Sequence, residues 1–238
     1  MKKTSILALL AIMAISCSDN PSTDGNVTLK ASAVSTTNTS LTARTAASTV
    51  VFTDFKINIG KIKFETDMED ERYDTDPMYD DDVKLMGPFL LDLLDPNKTM
   101  NQIITSVDVP NARYEEIKFK FEKSTLAGEM YGKTYMIKGT INGKAFIIWS
   151  DQDAELEMDF EDHNKDFTVN SNDISLNIKI HLDALMVRLT TLANQNLLLD
   201  TDGDGVIEIS TGSDDSHNDI GELIKDLLEN ETDLDDKD

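Results

Sequence analysis

The chain has 238 residues, of which 45 are Asp or Glu and 22 are Lys or Arg, for a formal charge of −23. That balance excludes a basic footprint for nucleic acid and a polybasic patch for anionic lipid. A single cysteine excludes an internal disulfide framework, so a folded domain must be held by its core.

The first seventeen residues have the build of a secretory signal. Lys2 and Lys3 are followed by an apolar run from Ile6 to Ile15, which Ser16-Cys17 closes. A run this short does not cross about 30 Å of hydrocarbon, for which roughly 20 residues are needed. A charged start, a short apolar middle and small residues at the end mark an export signal. Ala14-Ile15-Ser16-Cys17 resembles the lipobox of bacterial lipoproteins, departing from it at Ala14, where Leu is commoner. The resemblance implies cleavage before Cys17 and acylation of its thiol. Acyl chains contribute about 0.8 kcal/mol per buried CH₂, enough for several chains to hold a protein to a bilayer. Loss of residues 1–16 removes two lysines and no acid, leaving a mature charge of −25. Ser18-Asp19-Asn20 resembles the export signal of Bacteroidetes surface lipoproteins. It implies the outer face of the outer membrane, with a periplasm-facing location as the alternative.

Residues 17–48 are rich in Ser, Thr, Ala and Asn. Such a stretch is expected to be a flexible tether, because it buries too little apolar surface to offset its ordering entropy. A folded domain is expected over residues 49–212. Phe55, Ile57 and Ile59, then Ile62 and Phe64, alternate with polar residues, and the slip at Gly60 predicts a bulge. Val83 to Leu94 is apolar enough for one or two strands about Gly87-Pro88. Tyr114 to Phe121 alternates again. Asn142-Gly143 between Tyr135–Ile141 and Lys144–Ser150 predicts a hairpin with a type I′ turn. Glu155 to Phe160 and Ile174 to Leu182 add two alternating strands, the second placing Ser175, Asn177, Lys179 and His181 outward.

Two helices are expected, over Asp183–Asn194 and Asn218–Asn230. In the second, Ile220, Leu223, Ile224, Leu227 and Leu228 form one stripe that fits docking on the domain. Residues 213–238 are thus an acidic helix and tail. The fold class is all-β, an antiparallel β-sandwich of Ig-like or transthyretin-like type with a short C-terminal helix. Gly87-Pro88-Phe89 leading into Leu91-Asp92-Leu93-Leu94, with Val109-Pro110 before Tyr114, resembles uncharacterised β-sandwich lipoproteins of Bacteroidetes. That resemblance implies a fold and a location.

Residues 200–208, Asp-Thr-Asp-Gly-Asp-Gly-Val-Ile-Glu, carry the clearest internal motif. Asp200, Asp202 and Asp204 take loop positions 1, 3 and 5, the Val206 carbonyl position 7 and Glu208 position 9. Gly205 takes position 6, where a calcium loop turns sharply. Position 12 is Thr211, which lacks the bidentate carboxylate of an EF-hand, and Asp214 or Asp215 is the alternative donor. The expected cofactor is calcium. Acids crowd residues 67–82, which fits a self-repelling loop between strands.

Catalytic signatures are absent. His163, His181 and His217 make no zinc spacing, and no nucleophile elbow or phosphate loop is present. Trp149, the only Trp, is expected in the core. The expected function is a non-catalytic binding or accessory module, with a glycan or envelope protein as partner and the membrane reached through the lipid anchor. A structural or adhesive envelope protein is the alternative, and a glycan hydrolase is a third class.

Overall fold

The computed structural model describes residues 24–34, 42–44, 49–66, 83–94, 102–159, 167–171, 173–210, 217–230 and 232–235. The expected signal and lipobox, with Cys17, and the acidic segment 67–82 lie outside the described residues. Strands dominate, gathered into two sheets, and helices are few. In chain order the elements begin β1 (Asp24–Val34), β2 (Thr42–Arg44), β3 (Thr49–Thr66), β4 (Val83–Asp92) and β5 (Gln102–Pro110). They continue β6 (Arg113–Phe121), β7 (Tyr135–Ile141), β8 (Lys144–Ser150), β9 (Ala154–Asp159), β10 (Phe167–Thr168) and β11 (Ile174–His181). The chain then forms α1 (Asp183–Asn194), β12 (Val206–Ile209), α2 (Asn218–Asn230) and β13 (Thr232–Asp235).

The larger sheet runs β10-β6-β3-β7-β8-β12, with β2 and β4 on β3 and β9 on β6. Its spine is β3. One edge pairs with β7 over Val50–Ile57 and with β6 over Ile59–Thr66, and the other pairs with β2 and β4. The apolar set Phe55, Ile57, Ile59, Ile62 and Phe64 is fully buried. Both the β4 and β6 ladders shift register between Ile59 and Lys61, so Gly60 is the bulge that the slipped alternation foretells. Val83–Asp92 is one strand, with a cis Gly87-Pro88 bond opposite this bulge. Asn142 (φ 54°) and Gly143 (φ 81°) both sit in the left-handed region, as the two-residue hairpin between β7 and β8 requires.

The smaller sheet runs β13-β11-β1-β5. Inward residues of both sheets, together with Leu185 and Leu189 of α1 and Ile224 and Leu228 of α2, belong to one buried cluster. Both helices have the bounds read from the sequence, and α2 is docked through its apolar stripe.

Three expectations are corrected. Residues 24–34 are not tether. They form the strand β1, flanked by β11 on one side and β5 on the other, with Val27, Leu29 and Ala31 buried. The reason is a short alternation, Val27, Leu29 and Ala31 inward against Asn26, Thr28 and Lys30, sitting within a composition that is otherwise polar and small. The sheets are also not purely antiparallel, because β1–β11 and β12–β8 are parallel pairs. Finally, Thr232–Asp235, expected in a solvated tail, pairs antiparallel with β11 as an edge strand.

If β1 is structural, Leu29→Ala leaves a cavity at a fully buried position. We expect a loss of about 2–5 kcal/mol in denaturant unfolding. A tether residue would give no change.

Candidate metal centre

After α1 the chain passes through Leu198, which is buried, to Asp200 and then turns back into β12. Asp200 forms that turn with its own side chain. The Gly203 amide donates to Asp200 Oδ1 at 2.8 Å and the Gly205 amide to Oδ2 at 3.0 Å. The Asp204 amide donates to Asp202 Oδ1 at 3.1 Å, and the Val206 amide to Asp204 Oδ1 at 2.8 Å. Gly203 (φ 80°) and Gly205 (φ 93°) take left-handed backbone that L side chains rarely adopt.

The result is three carboxylates, from Asp200, Asp202 and Asp204, with oxygens within 4.8 Å of one another. Backbone N–H groups offset part of their mutual repulsion, and each oxygen retains lone pairs for a cation. Hard divalent cations take such oxygen donors, and calcium tolerates their irregular geometry. Glu208 is not in this group. It lies in β12, which pairs with β8 as Val206↔Ala145 and Glu208↔Ile147. The loop therefore gathers three of its four expected carboxylates, and Val206 opens β12 directly after them, its amide bonded to Asp204. Thr211, Asp214 and Asp215 fall outside the described residues.

His217 lies just before α2 and is buried, its Nε2 3.0 Å from the Leu199 carbonyl oxygen and 3.2 Å from the Leu199 amide nitrogen. It therefore pins the start of α2 to the residue preceding Asp200, which no spacing rule in the sequence reveals. His181 is partly exposed on the outward face of β11, as expected, and His163 lies outside the described residues. Trp149 is corrected from core to the outward face of β8. It is partly exposed, opposite to buried Phe146 and Ile148, with the Lys133 ammonium 5.5 Å from its ring centroid.

A second charged constellation covers the outer face of the larger sheet. Lys56 bonds Asp54 at 2.8 Å and also Glu129, and approaches Asp92 to 3.8 Å. Lys138 bonds the other oxygen of Glu129. Partial burial disfavours the Lys56 charge, but the hydrogen bonds to Asp54 and Glu129 outweigh it and hold the ammonium above its usual range. Hydrogen bonds from Lys138 and Lys56 hold the Glu129 carboxyl below the ordinary carboxylate value. Asp92 moves the other way, raised first by burial and then by the Asp54 charge. Nearby, Lys118 bonds Glu116 at 3.0 Å and Glu65 at 3.3 Å, and the Lys63 hydrogen bond lowers Glu65. The pairs run along strands, as in Lys56–Asp54 and Lys118–Glu116, and between them, as in Lys56–Asp92 and Lys118–Glu65.

Comparison with protein-family models, curated proteins and solved structures finds no match to this chain. Among the described residues no helix is long and apolar enough to cross a membrane.

Glu129→Gln removes one acceptor shared by two lysines. Because pairing lowers the folded-state pKa of Glu129, its contribution is complete at neutral pH and fades as pH falls through that lowered value. With the side chain 43% exposed, solvent screening limits the loss at pH 7 to about 0.5–1 kcal/mol. Urea midpoints of the two proteins should converge at acidic pH.

Proposed function

We propose that the chain is a lipid-anchored extracytoplasmic lipoprotein, its two sheets forming a β-sandwich of Ig-like or transthyretin-like type. The domain serves as a non-catalytic binding or accessory module on the outer membrane, for a glycan or another envelope protein. The observation that carries the address is the lone cysteine, Cys17, closing a charged and apolar leader. The sandwich reading is supported by the single core shared by the inward faces of both sheets.

Calcium is the proposed structural ion of the Asp200, Asp202 and Asp204 turn. Support comes from the convergence of the three carboxylates and from a backbone already folded to hold them. Calcium is plentiful outside cells, so even a weak site of the extracellular kind is filled there. Its role is to fasten the α1–β12 connection.

Calorimetric titration of calcium into the purified protein, alongside Asp200→Ala/Asp204→Ala, tests the ion. A hundredfold excess over the dissociation constant should stabilise the wild-type fold by about 2.7 kcal/mol and leave the double variant unmoved. Equal thermal melts with and without calcium would reduce the loop to an acidic turn. The address has its own test. Cys17→Ser should abolish palmitate incorporation and release the protein from the membrane fraction, and retention of both would sink the lipoprotein reading.

A further inference from the structure

The corrected place of β1 changes what lies between anchor and fold. Only residues 18–23 separate Cys17 from Asp24, where β1 begins. Seven Cα steps, fully extended, reach at most about 25 Å. The strand they lead into is no frayed edge, since β11 and β5 flank it and Val27 and Leu29 are buried.

We propose that the domain stands on the membrane with one defined pole toward the lipid headgroups, the pole at which β1 starts; this rests on acylation of Cys17. Its composition follows from the ladders. Asp24 pairs with Pro110 of β5. The Pro110 carbonyl accepts from Tyr114 Oη at 2.9 Å. Tyr114 opens β6, opposite Thr66 of β3 and Phe167 of β10. The Val169 amide donates to the Ala112 carbonyl at 2.9 Å, and Asn111 and Ser171 hold each other by two hydrogen bonds of 2.7 Å. The ends of β3, β5 and β10 and the starts of β1 and β6 therefore share this pole.

Its chemistry suits a hydrated headgroup layer and not the hydrocarbon. Asp24, Asn26, Asp108, Asn111 and Ser171 are polar, and none of the exposed large apolar side chains among the described residues falls here. The domain rests against the surface without inserting.

The opposite pole follows from β3. Val50, near its start, pairs with Ile141, which leads into the Asn142-Gly143 turn, and Ala145 just beyond pairs with Val206 at the end of the Asp200–Asp204 loop. Sixteen steps of strand, a contour of at most about 50 Å, lead from Val50 to Thr66. The carboxylate loop and the β7–β8 hairpin accordingly face the medium, where a soluble cation or partner meets them first.

The test uses the full lipidated chain in phosphatidylcholine vesicles, with acceptor dye on the lipid headgroups. Donor dye is placed on Asn170→Cys at the near pole or Lys144→Cys at the far pole, both exposed positions. Acylation blocks the Cys17 thiol, so each variant carries one label. Energy transfer from position 170 should exceed that from 144 severalfold. A 30-residue Gly-Ser spacer inserted after Asn20 should erase most of the difference, since its reach of roughly 30 Å frees the domain to tumble. Mass of the mature N-terminal peptide and vesicle flotation are read in the same samples. An unacylated chain that does not float overturns the lipoprotein reading and the orientation with it. An acylated, floating chain with equal or reversed transfer overturns the orientation alone.

Discussion

The larger sheet is registered against β3, and β3 can serve four neighbours only because it changes partner along its length. Up to Ile57 it pairs with β7, and from Ile59 with β6, while β4 runs along the other edge past the change. The crossing point is Asn58, buried although polar. Its amide donates to the Thr134 carbonyl at 2.9 Å, its Nδ2 to the Glu122 carbonyl at 2.8 Å, and its own carbonyl accepts from the Glu122 amide at 3.2 Å. Residues 122–134 leave the sheet at this fork, and Asn58 closes it by giving the parting backbones a partner. Gly60 then absorbs the extra residue. Further back, a Cβ on Gly139 would lie 2.0 Å from the Val51 carbonyl and 2.7 Å from the Phe146 ring, so β7 approaches β3 only without a side chain there.

Charge is arranged around the same frame. The protein carries about two acids for each basic residue. On the outer face of the larger sheet Lys56, Lys63, Lys118 and Lys120 each bond a carboxylate two residues away along the chain, and Lys138 bonds Glu129 of the 122–134 segment. Each exposed pair contributes little to stability, roughly 0–1 kcal/mol. Register rests on the apolar row, since a slip by one residue would turn it to water.

The chain enters the fold early, at β1. Asp24 lies only seven residues beyond Cys17, and the strand it starts occupies the interior of the smaller sheet. A pull on the chain ahead of Asp24 therefore acts on hydrogen bonds to both β11 and β5. The carboxylate loop sits far along the chain, held by α1 before it and β12 after it. His217 couples the following helix to the same turn.

The sequence alone determined the elements whose cause is local. The Asn142-Gly143 hairpin, the Gly60 bulge, the alternation of β6 and β11, the bounds of α1 and α2 and the turn chemistry of Asp200, Asp202 and Asp204 each follow from neighbours a few residues away. Tertiary structure decided the rest. Strand β1 has three inward residues, one of them Ala31, and its stability comes from β11, some 147 residues on (Val27↔Ile174), and from β5. Strand β13 likewise exists only because β11 offers an open edge. The outward turn of Trp149 was set by Phe146 and Ile148 taking the core side, and the withdrawal of Glu208 from the carboxylate group by β8 drawing β12 into the sheet. Local rules fix φ, ψ and alternation; which face is buried, and which weak strand is held, depends on partners distant in the chain.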